Sequence, residues 1–256
     1  MSRDVIGVVG SLACLVAVWW IIAITVSPGM PTPAAVWLAT LDQLQRPSFA
    51  VSAGVSAFRV YIPFGIAVAI GVPIGVLAGW YDPLADLVMP AFELLRPIPP
   101  IAWIPAVILL LPGTEAGIMF ITFLGAFFPI LLNSLEGGRQ LDGEYVKAAH
   151  SLGADRCSAV RHVVLPGAMP AISRGLYVGM GLAWINLVAA EMIAGGSGLG
   201  YLTWSAYTGG SYEYIVVGML SIAALGTIST TAVRRLDTVL LPWAVDRESV
   251  GAVSTT

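Results

Sequence analysis

Long apolar runs alternate along this chain with short polar breaks. The runs cover residues 5–26, 52–79, 84–111, 116–135, 172–194 and 214–232. A bilayer-crossing helix needs roughly 20 apolar residues, and each run is near that length. The first run exceeds a signal-peptide core of about 7–15 apolar residues and no small-residue cleavage pattern follows it, so it reads as a retained helix. Between the first two runs, residues 27–49 open on Pro and Gly. Val36, Leu38, Leu41 and Leu44 then predict a short amphipathic helix lying along the membrane surface. The pattern predicts an all-α integral membrane protein with about six transmembrane helices. It forms a single transmembrane domain over residues 1–256 with its core at 50–235, and has no internal repeat.

Several runs carry residues that lipid does not welcome. The second holds Gly71, Gly75 and Gly79, a row of small residues at four-residue spacing that lets helix backbones approach closely. Contact inside one subunit is the expected use of that row. Pro63 and Pro73 interrupt the same run, which a membrane tolerates where neighbouring groups satisfy the freed carbonyls. The third run contains RPIPPIAWIP, residues 96–105, with four prolines and one arginine. Such a segment cannot be a regular lipid-facing helix. Arg96 at membrane depth would cost roughly 2.5–3.5 kcal/mol, so it either faces a water-filled route or snorkels to the headgroups.

The polar interval at residues 136–170 has a helical pattern of its own. Val146, Ala149 and Leu152 recur at three-residue spacing. Val160, Val163 and Val164 resume the apolar pattern after a break at Gly153. Two short helices joined at a glycine and held at the membrane face make a docking element.

Composition strengthens the membrane reading. Hydrophobic residues make up 57% of the chain and charged residues 11%, with a mean hydropathy of +0.86. Soluble chains carry about 25% charge, so lipid must solvate most of this surface. With six spans and an inside amino terminus, one face collects Arg3, Arg139, Lys147, Arg156, Arg161, Arg174, Arg234, Arg235 and Arg247. The other collects Arg46. That bias places the 136–170 segment and both termini in the cytoplasm. The single lysine, Lys147, follows Val146, so there is no phosphate-binding loop of the Gly-Lys-Ser type. His150 and His162 have no partner at metal-ligand spacing, and Cys14 and Cys157 form no disulfide framework. No cofactor is expected, and the chain is not expected to be an enzyme.

The 136–170 segment resembles the cytoplasmic signature of permease subunits of binding-protein-dependent ABC importers: E-A-A-x-x-x-G, nine residues, then I-x-L-P. Ala148, Ala149, Gly153, Val163, Leu165 and Pro166 match it in spacing; Lys147 stands where the family has glutamate, with Glu144 one turn earlier. RPIPPIAWIP, GAFFPILLNS at 125–134, AWINLVAAEMIA at 183–194 and SGLGYL at 197–202 are similar to the subfamily importing aliphatic sulfonates, taurine, nitrate or bicarbonate. The resemblance implies the transmembrane domain of a type I ABC importer in a bacterial cytoplasmic membrane. It implies two ATPase subunits beneath, a second permease subunit (a homodimer is expected), a solute-binding protein outside, and no nucleic acid. It further implies that Lys147, Ala148, Ala149, His150, Ser151, Leu152 and Gly153, with Leu165 and Pro166, couple to the ATPase.

Arg96, Trp103, Asn133 and Glu191 are the candidates for the translocation route, and an arginine there suits an anionic solute. Alternatively Arg96 and Glu191 form a structural pair, since intramembrane charges usually pair. Ser197, Gly198, Leu199 and Gly200 are the candidate outer gate, or else an ordinary flexible connection. An ion-gradient secondary transporter or a membrane scaffold are the competing readings. The first would require inverted repeats and midplane ion sites.

Overall fold

A computed structural model of the chain describes residues 2–25, 29–141 and 143–240, and its secondary structure there is helical throughout. Helix α1 is Ser2–Thr25 and α2 is Pro33–Gln45. The start of α2 is fixed by Pro33 in its first turn and by Thr32, whose Oγ1 accepts from the Ala35 N–H at 3.3 Å. Long helix α3, Pro47–Trp80, comes after Arg46 alone, again opening on proline. Next come α4, Asp82–Leu95, a 3₁₀ turn at Pro100–Trp103 and α5, Ile104–Leu110. Helix α6 is Thr114–Arg139, α7 Gly143–Ser151 and α8 Arg156–Ala159. A π turn at Val160–Val164 leads into α9, Leu165–Ala194, and then come α10, Leu199–Thr208, and α11, Tyr212–Leu240.

Helices α3, α6, α8–α9 and α11 are each long and apolar enough to cross a bilayer. The α4 and α5 segments form a broken fifth passage, bent by 80°. In α1 the apolar stretch among the described residues is Ala13–Thr25, shorter than a full span, so the expected count of six is not established. The third run is broken as RPIPPIAWIP predicts. Pro97, Pro99 and Pro100 lack the N–H groups that would carry α4 onward, and the chain turns there.

The centre of the bundle is α6, sandwiched between α3 and α9. With little hydrophobic force between helices in lipid, such packing depends on close backbone approach. Gly75 of α3 supplies it: a Cβ there would lie 2.5 Å from the Leu131 carbonyl oxygen and 2.6 Å from Ser134 Cβ. Gly138 of α6 reciprocates, its missing Cβ falling 2.6 Å from the Val76 carbonyl oxygen. The small-residue row therefore makes an internal seam. Around it Val60, Ala67, Ile121, Ala126, Ile130, Leu131, Ala183 and Leu187 form the main buried cluster.

These contacts fix direction. Gly79 near the end of α3 meets Gly138 near the end of α6, while Arg59 of α3 meets Glu115 at the start of α6, so the two run parallel. Gly137 packs on Ala168 and Gly125 on Asn186, so α9 runs antiparallel to α6. One end of the bundle thus carries α7 and α8. The opposite end carries the start of α6, the end of α9, and α10.

Two expectations change. Helix α2 buries Val36, Ala39 and Gln43, the first two against Val217 of α11, while Leu38, Leu41 and Leu44 face outward. Its apolar residues exceed what one stripe needs, and a lipid-facing side is apolar too. The second short helix of the polar segment is also not a separate piece. Residues Arg156–Ala194 form one continuous helix of 39 residues. Leu165-Pro166-Gly167 reads as a boundary, yet the helix passes through it. The π turn, with the Leu165 N–H donating to the Val160 carbonyl, loosens the turn where the Pro166 ring would otherwise crowd the preceding carbonyls.

Candidate functional site

Two sites sit at opposite ends of the bundle, joined by the 39-residue helix. At the first, α7 ends on Gly153, whose φ of +89° lies in the left-handed region that favours glycine. The Ala154 N–H donates to the Ala149 carbonyl at 3.0 Å and the Gly153 N–H to the His150 carbonyl at 3.0 Å. This pair of reversed bonds terminates a helix sharply and sets the angle at which the chain leaves it. Asp155 then caps the next helix, its Oδ1 accepting from the Ser158 N–H at 3.1 Å. The Ser158 hydroxyl, with that backbone bond second, holds the Asp155 carboxyl below its ordinary value of 3.8. His150 Nδ1 lies 2.8 Å from the Ala154 carbonyl, stitching the joint. On α7, Val146 and Ala149 are half-buried, whereas Lys147, Ala148 and Ser151 are exposed. Tyr145 is 64% and Leu152 89% exposed. Leu165 is exposed and Pro166 half-buried within the continuous helix.

At the opposite end a polar cluster is buried among α3, α6, α9 and the 195–198 loop. Arg59 is 1% exposed and Glu191 fully buried. All five guanidinium N–H donors of Arg59 have acceptors. Nη1 donates to Glu191 Oε1 at 2.9 Å and to the Ser197 carbonyl at 2.7 Å. Nη2 donates to Glu115 Oε1 and to Ser197 Oγ at 3.1 Å. Nε donates to Glu115 Oε2 at 2.8 Å, making the Glu115 contact bidentate. Glu191 is equally well served: Ser56 Oγ lies 2.9 Å from both its oxygens, and the Gly200 N–H donates to Oε2 at 2.9 Å. Ser56 Oγ also accepts from the Leu199 N–H at 2.8 Å. Gly198 has φ +106°, and a Cβ there would fall onto the Glu191 carboxylate. Removing one member of such a buried pair typically costs about 3–5 kcal/mol, because the other charge is stranded.

Ser197, Gly198, Leu199 and Gly200 thus lie together on this cluster, with Gly198, Leu199 and Gly200 buried. Glu191 joins them. The route candidates do not otherwise converge. Arg96 is exposed at the C-cap of α4, and the cation paired with Glu191 is Arg59. The alternative of an Arg96–Glu191 pair is therefore replaced by a pair 132 residues apart. Trp103 is half-buried against the main cluster. Asn133 is half-buried, its Nδ2 donating to the Pro129 carbonyl of its own helix at 2.8 Å. Arg59, Glu115 and Ser56 were not among the sequence candidates. The available signal was that Glu191, deep in an apolar run, requires a cation, and Arg59 and Arg96 are the cations placed well inside such runs, Arg174 standing at the edge of its own.

Comparison with known proteins agrees with this architecture. Residues 71–244 match the family described as binding-protein-dependent transport system inner membrane component. The taurine transport system permease protein TauC of Escherichia coli is 32% identical over 251 residues, 95% of this chain and 91% of the relative. The nitrate import permease protein NrtB of Synechocystis sp. is 29% identical over 250 residues, 94% and 91% of the two chains. The bicarbonate transport system permease protein CmpB of Synechococcus elongatus is 34% identical over 174 residues, 68% and 63% respectively. With a family match over more than half its length and a helical, multi-pass bundle to carry it, the chain belongs to the inner membrane components of binding-protein-dependent transport systems, the permease subunits of ABC importers.

Proposed function

We propose that this permease imports a small anion, with two copies of the chain enclosing the route at their seam. Arg96 supports the reading. Phe92, one turn before it, stacks edge-on against Phe127 at 5.5 Å. Phe127 lies midway along α6, itself about 39 Å long at 1.5 Å per residue. Arg96 is therefore near mid-depth, yet it is exposed at the surface of the single chain. A cation facing lipid there is costly, whereas one facing a water-filled seam is solvated and attracts anions. The relatives named above for nitrate and bicarbonate, which are anions, and for taurine, which carries a sulfonate, fit a solute class with an anionic group.

The ATPase docks on α7 through Tyr145, Lys147, Ala148 and Leu152, exposed beside the fixed angle at Gly153. The α7 end faces the cytoplasm, both termini lie there, and the membrane is the bacterial inner membrane. Hydrolysis belongs to the ATPase partner, and this chain supplies the passage. The solute-binding protein meets the opposite end, where residues 195–200 form the outer gate with Arg59, Glu115 and Glu191 behind them. Trp103 and Asn133 line the passage less directly, through their positions on the broken span and on α6.

The observation that carries this reading is the exposed α7 surface leading through one left-handed glycine into a helix that reaches the gate. Its test is uptake of labelled nitrate, taurine and bicarbonate by cells expressing the complete importer. Gly153→Pro should insert normally and abolish ATP-dependent uptake. Wild-type uptake by that variant would refute the coupling assignment, and unaltered anion uptake by Arg96→Gln would refute the route.

A further inference from the structure

We propose that Arg59 is the positioning residue of a two-armed latch on the 195–200 loop, with a permanent arm to Glu191 and a releasable arm to Glu115. This rests on reading that loop as the outer gate. The two carboxylates share one guanidinium but differ in surroundings. Glu191 is fully buried, and its oxygens are taken up by Ser56, Arg59 and the Gly200 N–H. Breaking that arm would strand a carboxylate and a guanidinium away from water. Glu115 stands at the first turn of α6 with its side chain 66% exposed. When it lets go, water can replace it on the carboxylate and reach the two guanidinium N–H groups it leaves.

The charge count points the same way. Arg59 and Glu191 neutralise each other inside the bundle, so Glu115 is the surplus anion at the rim. Its bidentate contact nonetheless orients the guanidinium plane. The remaining donors on that plane hold the Ser197 carbonyl at 2.7 Å and Ser197 Oγ at 3.1 Å. Glu115 therefore acts on the loop through Arg59: α6 cannot swing its start away from α3 without freeing the guanidinium, and a freed guanidinium loosens Ser197. The adjoining Leu199 and Gly200 amides, donated to Ser56 and Glu191, are the loop's other anchors. The device couples displacement of the start of α6 to mobility of the loop beside it at the same end of the bundle.

Hydrogen exchange on the full-length chain in nanodiscs tests this without any transport partner, so its outcome is independent of whether the ATPase docks on α7. In the wild type, a peptide covering residues 195–202 should be protected. Glu115→Gln should raise its exchange rate about tenfold or more while peptides from the middle of α3, α6 and α9 keep theirs, and Glu115→Asp should restore wild-type exchange. Unchanged exchange at 195–202 in Glu115→Gln would overturn the latch. So would a loss of protection spread through α3 and α6, which would make Glu115 a pin for the whole bundle and not for the loop.

Discussion

Substituting Gly75 by alanine tests the packing that holds the bundle together. The new Cβ would sit 2.5 Å from the Leu131 carbonyl oxygen, 2.6 Å from Ser134 Cβ and 3.0 Å from the Leu135 N–H nitrogen. Two of these are backbone atoms within the C-terminal half of α6 and cannot rotate away. Carbon atoms pack comfortably at about 3.5–4.0 Å, so α3 and α6 must separate locally by ~1 Å. Overpacking of this kind costs about 1–3 kcal/mol, and an immovable backbone neighbour argues for the upper part of that range. Alanine is the better helix former by about 1 kcal/mol, which offsets part of the loss. The net expectation is a destabilisation of about 2 kcal/mol. At roughly 2–4 °C per kcal/mol for a chain of this size, the melting temperature should fall by about 4–8 °C. Gly65 lies on the same helix with nothing within 4 Å of its Cβ position, so Gly65→Ala is the control and should melt at or slightly above the wild type. Thermal unfolding of the purified chain in mild detergent, followed by circular dichroism, reads both. If the two variants melt together, the close approach of α3 and α6 does not hold the bundle, and the reasoning is refuted.

Three further expectations rest on the same geometry. Leu152→Glu should leave the melting temperature within about 0.5 kcal/mol of the wild type, since the side chain is 89% exposed, yet reduce ATP-dependent uptake; unaffected uptake would move the ATPase seat elsewhere. Arg59→Leu should destabilise the chain by about 3–5 kcal/mol and Arg96→Gln by much less, because only the first strands a buried charge, the Glu191 carboxylate; equal melting temperatures would sink that contrast. The Asp155 cap should be sensitive to acid: its folded-state pKa is lowered by the Ser158 hydroxyl and then by the Ser158 N–H, so its contribution is fully present above the ordinary value of 3.8 and is lost as pH falls through the lowered one. Amide exchange of residues 156–159, corrected for intrinsic rates, should lose protection across that acid window, and Asp155→Asn should flatten the dependence.

How far the chain could be read beforehand varied with the kind of signal. The broken span was legible because three prolines after Arg96 remove donors locally, with no need of a partner. The internal seam was legible because Gly71, Gly75 and Gly79 recur on one helical face. Gly153 declared itself by standing between two periodic apolar patterns, and its left-handed φ agrees. The Arg59–Glu191 pair was not legible, since 132 residues separate the partners and no periodicity links them. The proline-rich setting of Arg96 drew attention to the wrong cation. Glu115 sits at the edge of an apolar run, where a carboxylate looks like ordinary boundary chemistry. The continuity of α8 with α9 was hidden as well: Pro166 and Gly167 signal an end, and only the π turn ahead of them lets the helix go on.

That continuity has a mechanical consequence. A rod of 39 residues is about 58 Å long, enough to traverse the bilayer and protrude from it. Pivoting ~5° about its midpoint would carry each tip roughly 2.5 Å, in opposite senses. That stroke is comparable to the 2.8 Å separating the Leu199 amide from Ser56. Motion delivered at one face can therefore reach the other in a single step, like a seesaw, with no relay of side-chain rearrangements through the core.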